Sequence, residues 1–368
     1  MKLWTSVSAA LLLALLGTAA HAQILIGQSA GFSGPVAAGV KETTDGARLY
    51  LNAVNAKGGI NGQKIELVSM DDKFDPKLAA ENARVLIEEK EVVAMFLTRG
   101  TPHTEAMLPL LDKHGVSLVG PSTGAMVLHQ PVKRHVFNVR ATYQREAEKA
   151  IAHLATIGIT RIAVVHSDDS FGADGVTGAQ RGLDAAKQAA VAVEKYDRAK
   201  PDFSKIAPKI AKTDAQAVMI IGSGAAVVDC IKAVKAAGGT PQFVTLSNNA
   251  SGGFVKSLGD LARGIIVTQV LPQSMGYAVV KEINELARVQ SITDVSPAML
   301  EGFVSAKVLV EALRRAGPKL NRDSIQSALE GLRKFDVGGL EVSYSRDDHT
   351  GLDFADLSII SDTGKFRR

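Results

Sequence analysis

Short β-branched or apolar runs alternate with longer stretches of helical periodicity, and midway the alternation starts over. Residues 24–28 read as a strand, after which Thr44, Ala47, Leu51 and Val54 recur at helical spacing. Lys57-Gly58-Gly59-Ile60-Asn61-Gly62 is turn chemistry before a strand at 64–70. A helix at 76–89, a strand at 92–98, a helix at 102–114 and a strand at 116–120 follow. The second round predicts helices at 147–154, 175–190, 203–212 and 226–237, with strands at 161–166, 191–196, 217–221 and 243–246 between and after them. After 264–271 come helices at 277–288 and 297–316, then strand-like stretches at 340–344 and 357–361. Strand, helix, strand in this rhythm requires parallel sheets covered on both faces, so the class is α/β. No low-complexity linker separates the two units. That suggests lobes joined by a hinge and closing on something held between them.

The N-terminus reads as an export leader. Lys2 supplies positive charge, Leu11 to Leu16 an apolar stretch too short to span a bilayer, and Ala20-His21-Ala22 a small-x-small cleavage site. The expected mature chain starts at Gln23, in the periplasm, with no lipid anchor. Cys230 is the only cysteine, so no intramolecular disulfide can form. With 46% hydrophobic residues there is ample material for two packed cores. The net charge of +4 falls to +3 once Lys2 is removed, and the excess is scattered. Lys133-Arg134 and Arg314-Arg315 lack interleaved aromatics and read as solvated faces, which excludes nucleic acid as a partner.

Ligands of open α/β sheets lie beyond the carboxyl ends of the strands, often at helix N-termini. In the first unit three such places carry suitable residues: Ser33-Gly34-Pro35, Thr98-Arg99-Gly100-Thr101-Pro102 and Gly120-Pro121-Ser122-Thr123-Gly124. Thr101 suits an N-cap, with Pro102 at the first helical position. Hydroxyls and free N–H groups gathered there would hold a carboxylate, although each place taken singly is equally a plain cap.

Other chemistries fail on spacing. Gly222-Ser223-Gly224-Ala225-Ala226-Val227 approaches a dinucleotide fingerprint. However, Val227 is too large for close helix–strand packing, and no acidic residue ends the strand at 243–246. The small residues there let backbone approach a ligand or the opposite lobe. His103-Thr104-Glu105 lacks a second metal-binding histidine, and the chain has no CxxC, HExxH or GxSxG. Asp71-Asp72 and Asp168-Asp169 read as turn and cap residues. The expectation is a binding protein without cofactor or metal, not an enzyme.

Five segments carry a family resemblance: Gly31-Phe32-Ser33-Gly34-Pro35, residues 54–62, Asp71-Asp72-Lys73-Phe74-Asp75-Pro76, Val136-Phe137-Asn138-Val139-Arg140 and Asp202-Phe203-Ser204. In this order they resemble the periplasmic binding proteins of branched-chain amino acid transporters, and the resemblance spans essentially the whole chain after the leader. It implies the type I periplasmic binding fold, two doubly wound parallel-sheet lobes joined by a three-stranded hinge. The crossings are expected near Thr142, Leu271 and Leu340. Residues 23–142 and 271–340 then form one lobe, 143–270 and 341–368 the other. It also implies an ATP-driven (ABC) permease in the inner membrane as partner to a monomeric binding protein.

Matched position by position, the resemblance places the ligand carboxylate at Thr101, Ser122 and Gly124, with Thr123 between them a further ligand candidate and Phe171 as an aromatic wall. Other family columns fall on Ser223, Gly224 and Gly39, where aromatic residues are usual, and the usual disulfide columns hold Phe74 and Gly100. The two acidic columns that would meet a ligand amine fall on Arg145 and Ser247. Glu146, one residue away, and the neutral Asn248 and Asn249 are the remaining candidates, since a buried ammonium needs an acceptor. The expected ligand is a hydrophobic amino acid of the Leu/Ile/Val kind, met by Glu146. The alternatives are an aromatic or aliphatic carboxylate without an amine, or a ligand-sensing receptor domain. A receptor would usually carry a membrane segment or signalling domain, and a transcription regulator an N-terminal helix-turn-helix where the leader stands.

Overall fold

The computed structural model describes residues 23–368, and the leader read at 1–22 lies outside them. In the first lobe β1 (Ile24–Ala30), β2 (Ile65–Asp71), β3 (Ala94–Phe96), β4 (Leu118–Val119) and β5 (Val136–Phe137) form a parallel sheet in the order β2-β1-β3-β4-β5. Its helices are α1 (Ala37–Ala56), α2 (Pro76–Arg84, running into a π turn at Val85–Glu89) and α3 (Thr101–His114).

The second lobe is built on β6 (Ile162–Ser167), β7 (Ala192–Tyr196), β8 (Ala217–Ile221), β9 (Gln242–Thr245) and β10 (Ile266–Gln269). Its helices are α4 (Tyr143–Thr156), α5 (Ser170–Ala185), α6 (Ile206–Lys212), α7 (Ala225–Ala236) and α8 (Gly252–Leu258). The chain then returns as α9 (Ala278–Val289), α10 (Pro297–Arg315) and α11 (Arg322–Glu330), with a small hairpin of β11 (Phe335–Asp336) and β12 (Glu341–Val342). β13 (Asp356–Ile360) and β14 (Phe366–Arg367) complete the second sheet, in the order β14-β13-β10-β9-β8-β6-β7. β13 runs antiparallel to β10, and β14 antiparallel to β13.

Two-sided burial explains why the strands read as continuous apolar runs. Val165, Val218 and Ile220 face one core of the second lobe, while their neighbours Val164, Met219 and Val244 face another. In the first lobe, Ile26, Phe96, Val119 and Phe137 meet Phe303, Val304 and Leu309 of α10. The α/β class and the two parallel sheets therefore stand as the sequence predicts. Among the elements that do not show in the periodicity are α8, the two-residue strands β5, β11 and β14, and α11. The last is short but carries a capping box in which the Ser324 N–H donates to Asn321 Oδ1 and the Asn321 N–H donates to Ser324 Oγ, each at 2.9 Å.

The tail is divided. Val342, Tyr344 and Leu352 pack in the first-lobe core. The Tyr344 hydroxyl donates to Asn138 O at 2.6 Å, and the Leu352 N–H to Val139 O at 3.0 Å. We therefore propose that the last crossing, expected near Leu340, falls between Leu352 and Asp356.

Helices α1 and α10 cross at two glycines. A Cβ on Gly46 would lie 1.9 Å from Met299 O, and one on Gly302 1.7 Å from Thr43 O. In an exposed helix, alanine would gain about 1 kcal/mol over glycine. Here it must push two backbones apart. Gly302→Ala is expected to lose about 1–3 kcal/mol in urea unfolding, the usual cost of overpacking. Unchanged or raised stability would show that the crossing is not set by these glycines.

Candidate functional site

The loops at the carboxyl ends of the first-lobe strands face their counterparts from the second. The backbones touch where the Ala225 N–H donates to Pro35 O at 3.0 Å and the Ala298 N–H to Ala250 O at 3.0 Å. Glu42 of α1 accepts the Gly252 and Gly253 N–H groups at 2.9 and 2.8 Å, capping α8 from across the cleft. The Arg198 guanidinium, ion-paired to Asp169, lies 5.1 Å from the Phe74 ring centre, and Ser170 Oγ donates to Glu105. These contacts describe closed lobes.

Between them runs a cleft of about 430 Å³ lined by residues 34–39 and Arg99 on one side and by Gly224, Val228, Asn248, Ser251 and Phe254 on the other. Arg99 crosses it. Its Nη1 donates to Ser122 Oγ at 3.0 Å and its Nη2 to Asn248 O at 2.5 Å. Burial, opposed only by remoter charges, pulls its pKa below the ordinary arginine value.

Behind the cleft lies a second guanidinium. Arg140, 1% exposed, sits in the segment that leads from β5 into α4. Its Nη2 donates to Glu146 Oε1 and to Ser247 Oγ, the latter at 2.7 Å. Its Nη1 is 3.6 Å from Glu301 Oε1 on α10, and its guanidinium lies 4.6 Å from the Tyr143 ring centre. Burial works against the charge, yet Glu146 and Glu301 together hold its pKa above the ordinary value.

The periplasmic binding protein family matches residues 23–355. The chain belongs to that family. A substrate-binding periplasmic protein of Ralstonia solanacearum is 33% identical and superposes with a TM-score of 0.86 over 94% of this chain and 99% of that one. The Leu/Ile/Val-binding protein of Escherichia coli is 25% identical over 240 residues, 64% of this chain and 65% of that protein. The chain thus spans just under two thirds of the length of the curated relatives it matches. A branched-chain amino acid ABC transporter protein of Thermus thermophilus with bound valine shares the fold at 16% identity, with a TM-score of 0.81 over 94% of this chain and 95% of that one. The resemblance read from the sequence, and the type I periplasmic binding fold it implied, are both borne out.

In this binding protein the expected site residues divide into groups. Thr101 is the first residue of α3, not its cap. The cap is Gly100 at φ 92°, where a Cβ would come within 2.5 Å of His103 Nδ1. The Thr101 and Thr123 hydroxyls bond to each other at 2.7 Å, and Ser122 holds Arg99. Gly124 packs on the hinge backbone, where a Cβ would meet Ala141 O at 2.5 Å. Phe171 is buried edge-on to Tyr143, with ring centres 4.8 Å apart. Ser223 accepts from Asn248 Nδ2 at 3.0 Å, and the Gly224 N–H donates to Asn249 Oδ1 at 2.8 Å. Gly224 takes φ 54°, and a side chain there would strike Pro35 O at 1.9 Å, so its smallness serves the approach of the opposite lobe.

Glu146 requires a correction. Read as the acceptor for a ligand amine, it is instead fully buried and occupied by Arg140, by Thr268 Oγ1 and by the Ser247 N–H at 2.9 Å. Ser247 belongs to the same network. Arg145 points outward, 3.6 Å from Asp353. Arg99, Arg140, Thr268 and Glu301 were missed as a set. Only the placement of a charge at the end of an apolar strand, Val92 to Arg99, could have signalled the first. Cys230 is buried inside α7, and desolvation pushes its thiol up to about 12, which disfavours the thiolate.

Deleting one partner of a buried pair strands the other charge. Glu146→Ala is expected to cost about 3–5 kcal/mol of stability. It should show as a shifted denaturant midpoint, whichever solute is present. A variant that keeps its midpoint and loses only solute binding would return Glu146 to the ligand.

Proposed function

We propose that this protein captures a small organic acid lacking an α-amine in the cleft between its lobes and presents the closed form to an inner-membrane ABC permease. The observation that carries the ligand class is the saturation of Glu146. With that carboxylate occupied and Ser247 in the second acidic column, Asp229 is the one carboxylate among the described residues that line the cleft. Asp229 on the cleft wall is on an exposed part of α7, near Lys232, where water competes for any charge. Arg99 makes the inner cleft cationic, while Val36, Val228 and Phe254 supply apolar surface for the rest of the molecule. The periplasmic family and the leader read at 1–22 support export, with cleavage after Ala22. Ser122 then positions Arg99, while Thr101 and Thr123 bond each other and Phe171 packs on Tyr143.

A second reading, a hydrophobic α-amino acid, is favoured by the names of the relatives. It requires the ammonium to rest on neutral acceptors such as main-chain carbonyls, which leaves a desolvated cation unmatched.

Calorimetry decides between the two, with leucine, isoleucine and valine set against their 2-oxo and 2-hydroxy analogues. Deaminated acids are expected to bind at least about tenfold more tightly, a difference of about 1.4 kcal/mol. Preference for the amino acids would replace the first reading with the second. The acid that binds should also lower the radius of gyration in small-angle scattering, because a solute touching both lobes stabilises the closed form. Tight binding with unchanged scattering would remove closure from the mechanism.

A further inference from the structure

Three guanidiniums lie at or behind the junction of the lobes, and two of them bring their own carboxylates. Arg140 has Glu146 and Glu301, and Arg198 has Asp169. Arg99 is only 5% exposed and is hydrogen-bonded to Ser122 Oγ and Asn248 O, both neutral, with Glu301 acting on its charge from beyond ion-pair distance. Two of the five donors of a guanidinium are thereby used. A buried cation without an anion is expensive, which is why buried charges are paired almost without exception.

We propose that Arg99 is the counter-ion of the ligand carboxylate and thereby a specificity-determining residue of the cleft, an inference that rests on the reading of the cleft as a carboxylate site. The surroundings leave the guanidinium open on the cleft side. Gly39 has no side chain to cover it: a Cβ there would lie 3.9 Å from Arg99 Nη2 and 3.8 Å from Ser251 Oγ, at ordinary contact distance. Beyond the charged end, Val36, Val228 and Phe254 offer an apolar wall. The fitting solute is a monocarboxylate with an apolar body.

The position of Arg99 also links charge to closure. The residue belongs to the first lobe, but one of its bonds ends on Asn248 of the second. When the lobes part, that bond is lost and the head group returns to water. When they close, it is dehydrated, and an anion between the lobes offsets that cost. A neutral solute of the same shape does not, so closure selects for the carboxylate.

The test compares wild type with Arg99→Gln and Arg99→Lys, using 4-methyl-2-oxopentanoate, hexanoate, 3-phenylpropanoate and leucine as probes and melting in probe-free buffer as the control. Wild type should bind at least one of the acids. Arg99→Gln should bind it about 10- to 100-fold more weakly, the worth of hydrogen bonds between charged groups. Arg99→Lys, which keeps the charge and loses the fork, should fall between. Arg99→Gln should melt at or above wild type, since a neutral side chain replaces a buried cation that makes no direct ion pair among the described residues. Equal binding of the acids by wild type and Arg99→Gln overturns the role of Arg99 and leaves the small-acid reading standing. Wild type that binds leucine alone, with Arg99→Gln losing it, overturns the small-acid reading and retains Arg99 as the carboxylate anchor. Arg99→Gln that melts well below wild type makes the residue a structural strut and overturns the inference. Failure of wild type to bind any of the probes overturns both.

Discussion

Arg140 and Glu146 form an ion pair in which both side chains are almost completely withdrawn from water, at the point where the chain first passes from one sheet to the other. Two ions buried together repay their desolvation only when their remaining donors and acceptors are also satisfied. Here Ser247 Oγ accepts from Arg140, and Thr268 Oγ1 and the Ser247 N–H donate to Glu146, tying the start of α4 to the end of β9 and to β10. Glu301 reaches the other side of Arg140 from α10, so the pair also joins first-lobe packing to the second lobe. The geometry of the passage, and with it the floor of the cleft, depends on this network. Glu146, the carboxylate beside the expected amine column, is committed to that network.

The closed arrangement rests on contacts that differ in kind. Backbone meets backbone at Pro35 and Ala225, which only a glycine at 224 permits. A carboxylate meets a helix N-terminus at Glu42 and α8, where the N–H groups that lack an intrahelical partner favour negative charge. A guanidinium meets an aromatic face at Arg198 and Phe74. Each is a hydrogen bond or a single charge-on-ring contact. Lobes held by such contacts can part without exposing a core, as opening to admit a solute requires.

Much of the fold was legible because parallel strands buried on both faces leave an unmistakable apolar run, and α1, α3, α7 and α10 keep a helical period. What escaped was too short to have a period, as with β5 and α8, or was defined by a cap, as with α11. At the strand ends, the loops at 98–102 and 120–124 were legible, since turn chemistry is local. The roles of single residues were not. Thr101 looks like a cap by type, yet Gly100 takes the capping position because only it adopts φ 92° beside the His103 ring. Glu146 looks like a ligand group by its nearness to a family column, but one step along a helix turns a side chain by roughly 100° and sends it into the interior.

By itself, then, the sequence determined the α/β class, the two rounds of strand and helix, the export leader as an expectation, the family, and the loops from which a binding site could be built. These follow from periodicity, turn residues and local motifs, all of which act over a few residues. Which charges pair was decided only in three dimensions. Arg140 and Ser247 are 107 positions apart, and Arg99 and Asn248 are 149 apart. Electrostatic partnership depends on distance in space and on the exclusion of water. Only the packed lobes set which guanidinium is ion-paired from within and which is held by neutral groups.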